Sequence, residues 1–125
     1  MIKVVFGWRD HPDRSAEDCE AHYRAVHIPL AQEAFDGVPG FVRLVYNRVR
    51  SATVNDFNRR EPRAVEPAVD AWVELWFASP ELLAAAFTRP QLQALFDDHP
   101  NFMACDVPAN IHVFQVDETE ILAAR

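Results

Sequence analysis

Residues 23–31, YRAVHIPLA, place a histidine two positions before a proline, inside a stretch whose apolar spacing predicts a helix. An imidazole is suited to moving protons near neutral pH, because its ordinary pKa lies close by. At about 100° per residue, Cys19, Tyr23, Val26 and Leu30 form one apolar stripe flanked by Ala16 and Ala34. His27 falls on the flank of that stripe, roughly 50° from its centre. From there it can look into a cleft between helix and sheet while staying partly exposed. Pro29 donates no amide hydrogen, so the Ala25 carbonyl loses its helical partner, and the ring crowds that turn. Ile28, before the proline, is pushed away from helical dihedrals. A kink is predicted here, with a polar gap beside His27.

A proton-transferring histidine needs a partner that fixes its tautomer. Asp70, at the entry to an apolar strand, is the candidate. The assignment is therefore catalytic His27 and Asp70. His22 lies five residues before His27, about 140° away around an α-helix, so the two should not meet on one metal. Five histidines are scattered along the chain with no i, i+4 pair and no HExxH, which predicts no metal site. His11, His99 and His112 read as surface or loop residues. Trp8, Tyr23, Phe87 and Phe102 are the rings best placed to wall a pocket for a hydrophobic ligand; the other aromatics read as packing. Cys19 reads as an inert small hydrophobe. Arg59, Arg60 and Arg63 in a polar segment read as solvated charges, with carboxylate clamping as the alternative. Glycine-rich phosphate loop, GxSxG elbow and dinucleotide fingerprint are all missing, and no cofactor is expected.

The elements that position these residues follow from period and punctuation. IKVVFGW is a β-branched and aromatic first strand. Ser15, with Asp18 three residues on, starts a helix near Ala16 that runs to DGVPG. FVRLVYNRV is the second strand, residues 50–68 a long polar loop, and DAWVELWFA the third strand. Ser79 caps a helix with Pro80 at its first position, Pro90 restarts it, and NIHVFQV is the last strand. The order β-α-β-β-α-β predicts an α+β, ferredoxin-like fold: a four-stranded antiparallel sheet with helices on one face. The second strand alternates Phe41, Val45 and Val49 against Val42, Leu44 and Tyr46. The third sets Trp72 and Trp76 against Val73, Leu75 and Phe77. Two apolar faces and helices for only one predict a homodimer that closes sheet on sheet into an α+β barrel.

The length of 125 residues suits one domain, 1–125, and half the residues are hydrophobic, enough for one core. A net charge of −7 disfavours nucleic acid and anionic membrane as partners. No apolar run approaches the roughly 18 residues that a spanning helix needs, and the opening MIKVVFGW lacks a signal-peptide pattern. Two isolated cysteines fit a reducing, cytoplasmic setting.

Three segments together, HYRAVHIPLA, DAWVELWFASPELLAAAF and HPNFM, resemble the EthD family of dimeric α+β barrel proteins. The shared pattern is an aromatic, a histidine four positions later, then a proline and an apolar pair: Tyr23, His27, Pro29, Leu30 and Ala31. Asp70 leading into Glu74–Phe77, and the pair Asn101–Phe102, continue it. The chain departs from the family at Cys19, where a phenylalanine is usual, and at Ile28, where the residue is usually smaller. The resemblance implies a relation to barrels that include muconolactone isomerases, aromatic polyketide cyclases and cofactor-free monooxygenases, several of which use a histidine as acid–base. The expected function is a cofactor-free enzyme of acid–base chemistry, that is cyclisation, dehydration, isomerisation or decarboxylation. Its ligand would be a hydrophobic oxygenated small molecule such as an aromatic polyketide or lactone. The alternatives are a non-catalytic binding protein of a degradation pathway and a cofactor-free monooxygenase.

Overall fold

A computed structural model describes residues 1–56, 61–106 and 110–125. Four strands form the main sheet: β1 (Ile2–Trp8), β2 (Phe41–Arg48), β5 (Ala71–Phe77) and β6 (His112–Val116). Their order is β2-β5-β1-β6, and every neighbouring pair is antiparallel. This is the ferredoxin-like order predicted from the alternation of elements. Helices α1 (Ala16–His22) and α2 (Ile28–Phe35), and then α3 (Pro80–Ala86) and α4 (Pro90–Asp98), connect the strands, with α2 packed on α4.

Local chemistry accounts for the starts and stops. The Ser15 hydroxyl accepts the Asp18 amide at 3.0 Å, and the Ser79 hydroxyl accepts the Leu82 amide at 3.2 Å, each satisfying a donor that the first turn leaves open. Pro80 and Pro90 sit in first turns, where a missing amide hydrogen costs nothing. Gly40 holds φ at +83°, and a Cβ there would meet the Leu82 side chain at 2.7 Å. Only glycine lets the chain turn into β2 so close to α3.

Two features of the sheet differ from the sequence expectation. A β-bulge between Phe41 and Arg43 breaks the alternation of β2. Phe41, Leu44 and Tyr46 all pack toward the helices as a result, and Val42 is exposed. The 50–68 segment is not all loop: Thr53–Val54 (β3) pairs with Arg63–Ala64 (β4) as a short ribbon. Arg63 lies on that ribbon beside Asp56, and Arg59 and Arg60 lie outside the described residues.

The core between sheet and helices is two clusters. One gathers Phe35, Leu75, Phe77 and Leu92, and the other Trp8, Cys19, Tyr23, Phe102 and Met103. Each fully buried side chain of this size contributes about 1.5–3 kcal/mol. The candidate site lies where the cavity is lined by members of both clusters.

Candidate active site

The first helix carries a π turn, Tyr23–His27, between α1 and α2. The Ile28 amide reaches back five residues to the Tyr23 carbonyl. Pro29 follows at once, so the missing amide hydrogen falls beside a widened turn, and Ile28 keeps helical dihedrals (φ −59°, ψ −49°) where a departure from them was expected. The inserted residue resets the phase of everything after it. Cys19, Tyr23, His27 and Ala31 become the buried stripe, while Val26, expected within it, is 40% exposed. His27 is accordingly buried at 6% exposure, not partly exposed on the flank.

The π turn also brings His22 and His27 together, contrary to the α-helical expectation. A hydrogen-bond repeat of five places residues five apart next to each other. His22 Nε2 lies 2.8 Å from Asp98 Oδ1, and His27 Nδ1 lies 2.9 Å from Asp98 Oδ2. Asn101 Nδ2 donates to Asp98 Oδ1 at 2.9 Å. Asp98 ends α4, where a negative charge opposes the helix dipole. Burial pushes the carboxyl pKa up, but the hydrogen bonds from Asn101, His22 and His27 outweigh it and hold the value below the ordinary range. The carboxylate is therefore ionised and accepts only, so His27 carries its proton on Nδ1. Among the described residues nothing hydrogen-bonds to His27 Nε2, whose lone pair is left for a ligand.

His27 lines a cavity of about 400 Å³ between the helices and the sheet. Burial lowers the His27 pKa from its ordinary value, and the hydrogen bond to Asp98 opposes that only in part. The imidazole is a neutral base at pH 7. Trp8, Tyr23, Phe87 and Phe102, the four rings read from the sequence as pocket walls, all line this cavity. Tyr23 stacks on Trp8 at 5.5 Å and on Tyr46 at 4.1 Å, and Phe102 meets His27 edge-on at 4.7 Å. Phe87 is 43% exposed and forms part of the rim with Phe96, 6.1 Å away.

Asp70 is not brought to His27. Its carboxylate accepts the Asp10 amide at 2.7 Å, and its backbone ties the ends of β1 and β2 through Trp8 and Val49. It does not line the cavity. Asp10 in turn pairs with Arg48 at 2.7 Å, both side chains nearly buried. Asp70 thus belongs to a polar clasp that fixes the strand bearing Trp8, and Asp98 takes the orienting position. Asp98 and His99 were missed because DDHPN reads as a polar helix end. The spacing of Cys19, Tyr23, His27 and Ala31 at four residues is shared by an α-helix and gives no sign of the π turn. His99, expected at the surface or in a loop, is half-buried in the turn after α4 and lines the cavity 5.5 Å from His27. Among the described residues no group of three or more His, Cys, Asp or Glu side chains is placed to hold a metal ion, and no helix is long and apolar enough to cross a membrane.

The fold and the site define a ferredoxin-like α+β protein with a carboxylate-braced histidine on an apolar cavity. The EthD domain matches residues 11–106, so the chain belongs to the EthD family. Among solved structures it is similar to an ethyl tert-butyl ether degradation (EthD) family protein of Bacillus halodurans. That likeness has 16% identity over 95% of this chain and 100% of that one, with a TM-score of 0.59. HapK of Hahella chejuensis aligns over 100% and 99% of the two chains at 11% identity and a TM-score of 0.63. A dimeric ferredoxin-like protein of unknown function from Jannaschia aligns over 94% and 98% at 16% identity and a TM-score of 0.59. No curated protein matches the chain significantly.

Proposed function

We propose that the chain is a cofactor-free enzyme of acid–base chemistry on a neutral, hydrophobic, oxygenated small molecule. The observation that carries this reading is the unpartnered Nε2 of His27, facing an apolar cavity while Nδ1 is held by an ionised carboxylate. Tyr23, Trp8 and Phe102 offer flat apolar walls, which suit a ring system. Among the described residues no Lys, Arg, Asp or Glu side chain lines the cavity, so a charged ligand would lose its hydration without an ion partner there. The proton taken by Nε2 leaves an imidazolium that Asp98 stabilises. The same group can return it elsewhere on the ligand, the minimum needed for isomerisation, dehydration or cyclisation.

Melting curves test the ligand class. Neutral bicyclic phenols, lactones and ketones at a hundred times their Kd should stabilise the fold by about 2.7 kcal/mol. That corresponds to a rise of roughly 5–15 °C for a domain of this size. Aromatic carboxylates of the same size should give no shift, and an equal shift from them would contradict the reading.

We also propose that two copies pair through the outer sheet face. Val5, Val45, Trp72 and Phe114 lie on the face away from the helices by the strand register, and Phe114 is 57% exposed. Relatives of this fold from Jannaschia and Bacteroides fragilis are dimeric. Light scattering at micromolar concentration should give twice the chain mass, and a monomer there would sink this pairing.

A further inference from the structure

The ring of His99 has no structural task that an apolar side chain could not perform. Its main chain is used, since its carbonyl accepts the Phe102 and Met103 amides at 3.1 and 2.9 Å. Its imidazole makes no hydrogen bond among the described residues. It rests against Phe6, Phe96 and Phe102, at 5.9, 5.4 and 5.9 Å between ring centroids, and it lies beside His27 on the wall of the same cavity. The ring is half-buried, and its nitrogens are not among the buried atoms left without a partner, so they stay accessible to a ligand oxygen that enters the cavity.

We propose that His99 is the second chemically active group of this site: its N–H holds the oxygen of a ketone ligand while His27 Nε2 takes a proton from the adjoining carbon. The inference rests on the reading of His27 as the base, and it adds the class of substrate, a carbonyl compound with an acidic α C–H. Imidazoles 5.5 Å apart can reach neighbouring atoms of one ligand, such as a carbonyl oxygen and the carbon beside it. The electrons balance within the ligand. The C–H bond breaks, and its pair becomes the C=C bond of the enolate. The carbonyl π pair moves onto oxygen, where the His99 N–H meets it. The proton resides on His27 Nε2, whose imidazolium is braced by Asp98 and, through it, by His22 and Asn101. Return of the proton to the same carbon exchanges hydrogen, and return to a conjugated carbon isomerises the ligand.

The donor must be neutral to leave His27 free to ionise, because two adjacent imidazolium ions would repel. Burial, with the neighbouring His27 acting the same way, pulls the His99 pKa down to about 4. A neutral imidazole is a known electrophile toward carbonyl oxygen, as in the triosephosphate isomerase pattern.

The test uses the intact chain in D2O with 2-tetralone and 2-indanone, following loss of the α-proton signals by NMR. The wild type should accelerate exchange over buffer, and His27→Gln should remove the acceleration. His99→Phe keeps a flat ring and removes both nitrogens, and should slow exchange by about 10²-fold, the value of one donor to a developing oxyanion. A second readout separates chemistry from shape. The wild type should bind 2-tetralone more tightly than tetralin, the hydrocarbon of the same outline. His99→Phe should lose that preference while still binding tetralin, and His99→Leu repeats both measurements with a smaller side chain. If His27→Gln stops exchange while both His99 variants keep the wild-type rate and the ketone preference, the role of His99 is overturned and the base assignment stands. If the wild type accelerates no exchange, both are overturned.

Discussion

His27→Gln should lower turnover by about 10²–10⁴-fold, the contribution of a positioned general acid–base. The substitution removes the only nitrogen of this ring that faces the cavity unpartnered, and leaves the walls in place. Because the ring is buried and bonded to Asp98, a stability loss of about 1–3 kcal/mol should accompany it. The glutamine amide can still donate to Asp98, and His22 and Asn101 still hold that carboxylate. Circular dichroism should therefore report a folded variant with near-native spectra. A folded variant with unchanged turnover would make His27 a wall residue and leave the cavity as a binding site.

Asp98→Asn should lower turnover by a similar factor, about 10²–10⁴-fold, for a different reason. An amide offers one acceptor oxygen where the carboxylate offers two, yet both His22 and His27 donate to this group. One histidine must then accept from the amide nitrogen. For His27 that means a bare Nδ1 and a proton on Nε2, so the cavity sees a donor where it needs a base. The imidazolium formed in turnover also loses its counter-charge. The signature separating this from a general loss of packing is a loss in kcat with little change in ligand affinity, since Asp98 does not line the cavity. An equal loss in affinity would point to collapse of the wall.

Much of the fold was legible because single residues announce it. The first strand, the capping serines Ser15 and Ser79, and the prolines Pro80 and Pro90 sit where local chemistry puts them. Pro29 was legible as a disturbance, and its consequence was not. A missing amide hydrogen can be met by a bend or by a wider turn, and only tertiary packing chooses. The wider turn won because it buries His27 and Ala31 in place of Val26, and aims two histidines at one carboxylate. The bulge at Phe41/Arg43 is of the same kind: alternation within β2 cannot show where an extra residue enters.

The site divides the same way. The aromatic walls were legible because large rings near helix ends and strand ends of a small chain have few places to go. Asp98 was not, because its histidine partners are 71 and 76 residues away in sequence, and a carboxylate at the end of a helix reads as solvated. Asp70 looked equivalent from its position before a strand. Its carboxylate is taken by the Asp10 amide, a contact that depends on how β1 leaves the sheet.

At neutral pH His27 should be a neutral imidazole with its proton on Nδ1 and its lone pair at Nε2. Long-range ¹⁵N–¹H correlation of the histidine rings, followed from pH 8 to pH 4, measures this directly. Burial lowers the His27 pKa, so the ring should titrate below pH 6.5, where an ordinary histidine is half protonated, and show the Nδ1–H tautomer while it is neutral. A ring that is protonated at pH 7, or that carries its proton on Nε2, would contradict the account.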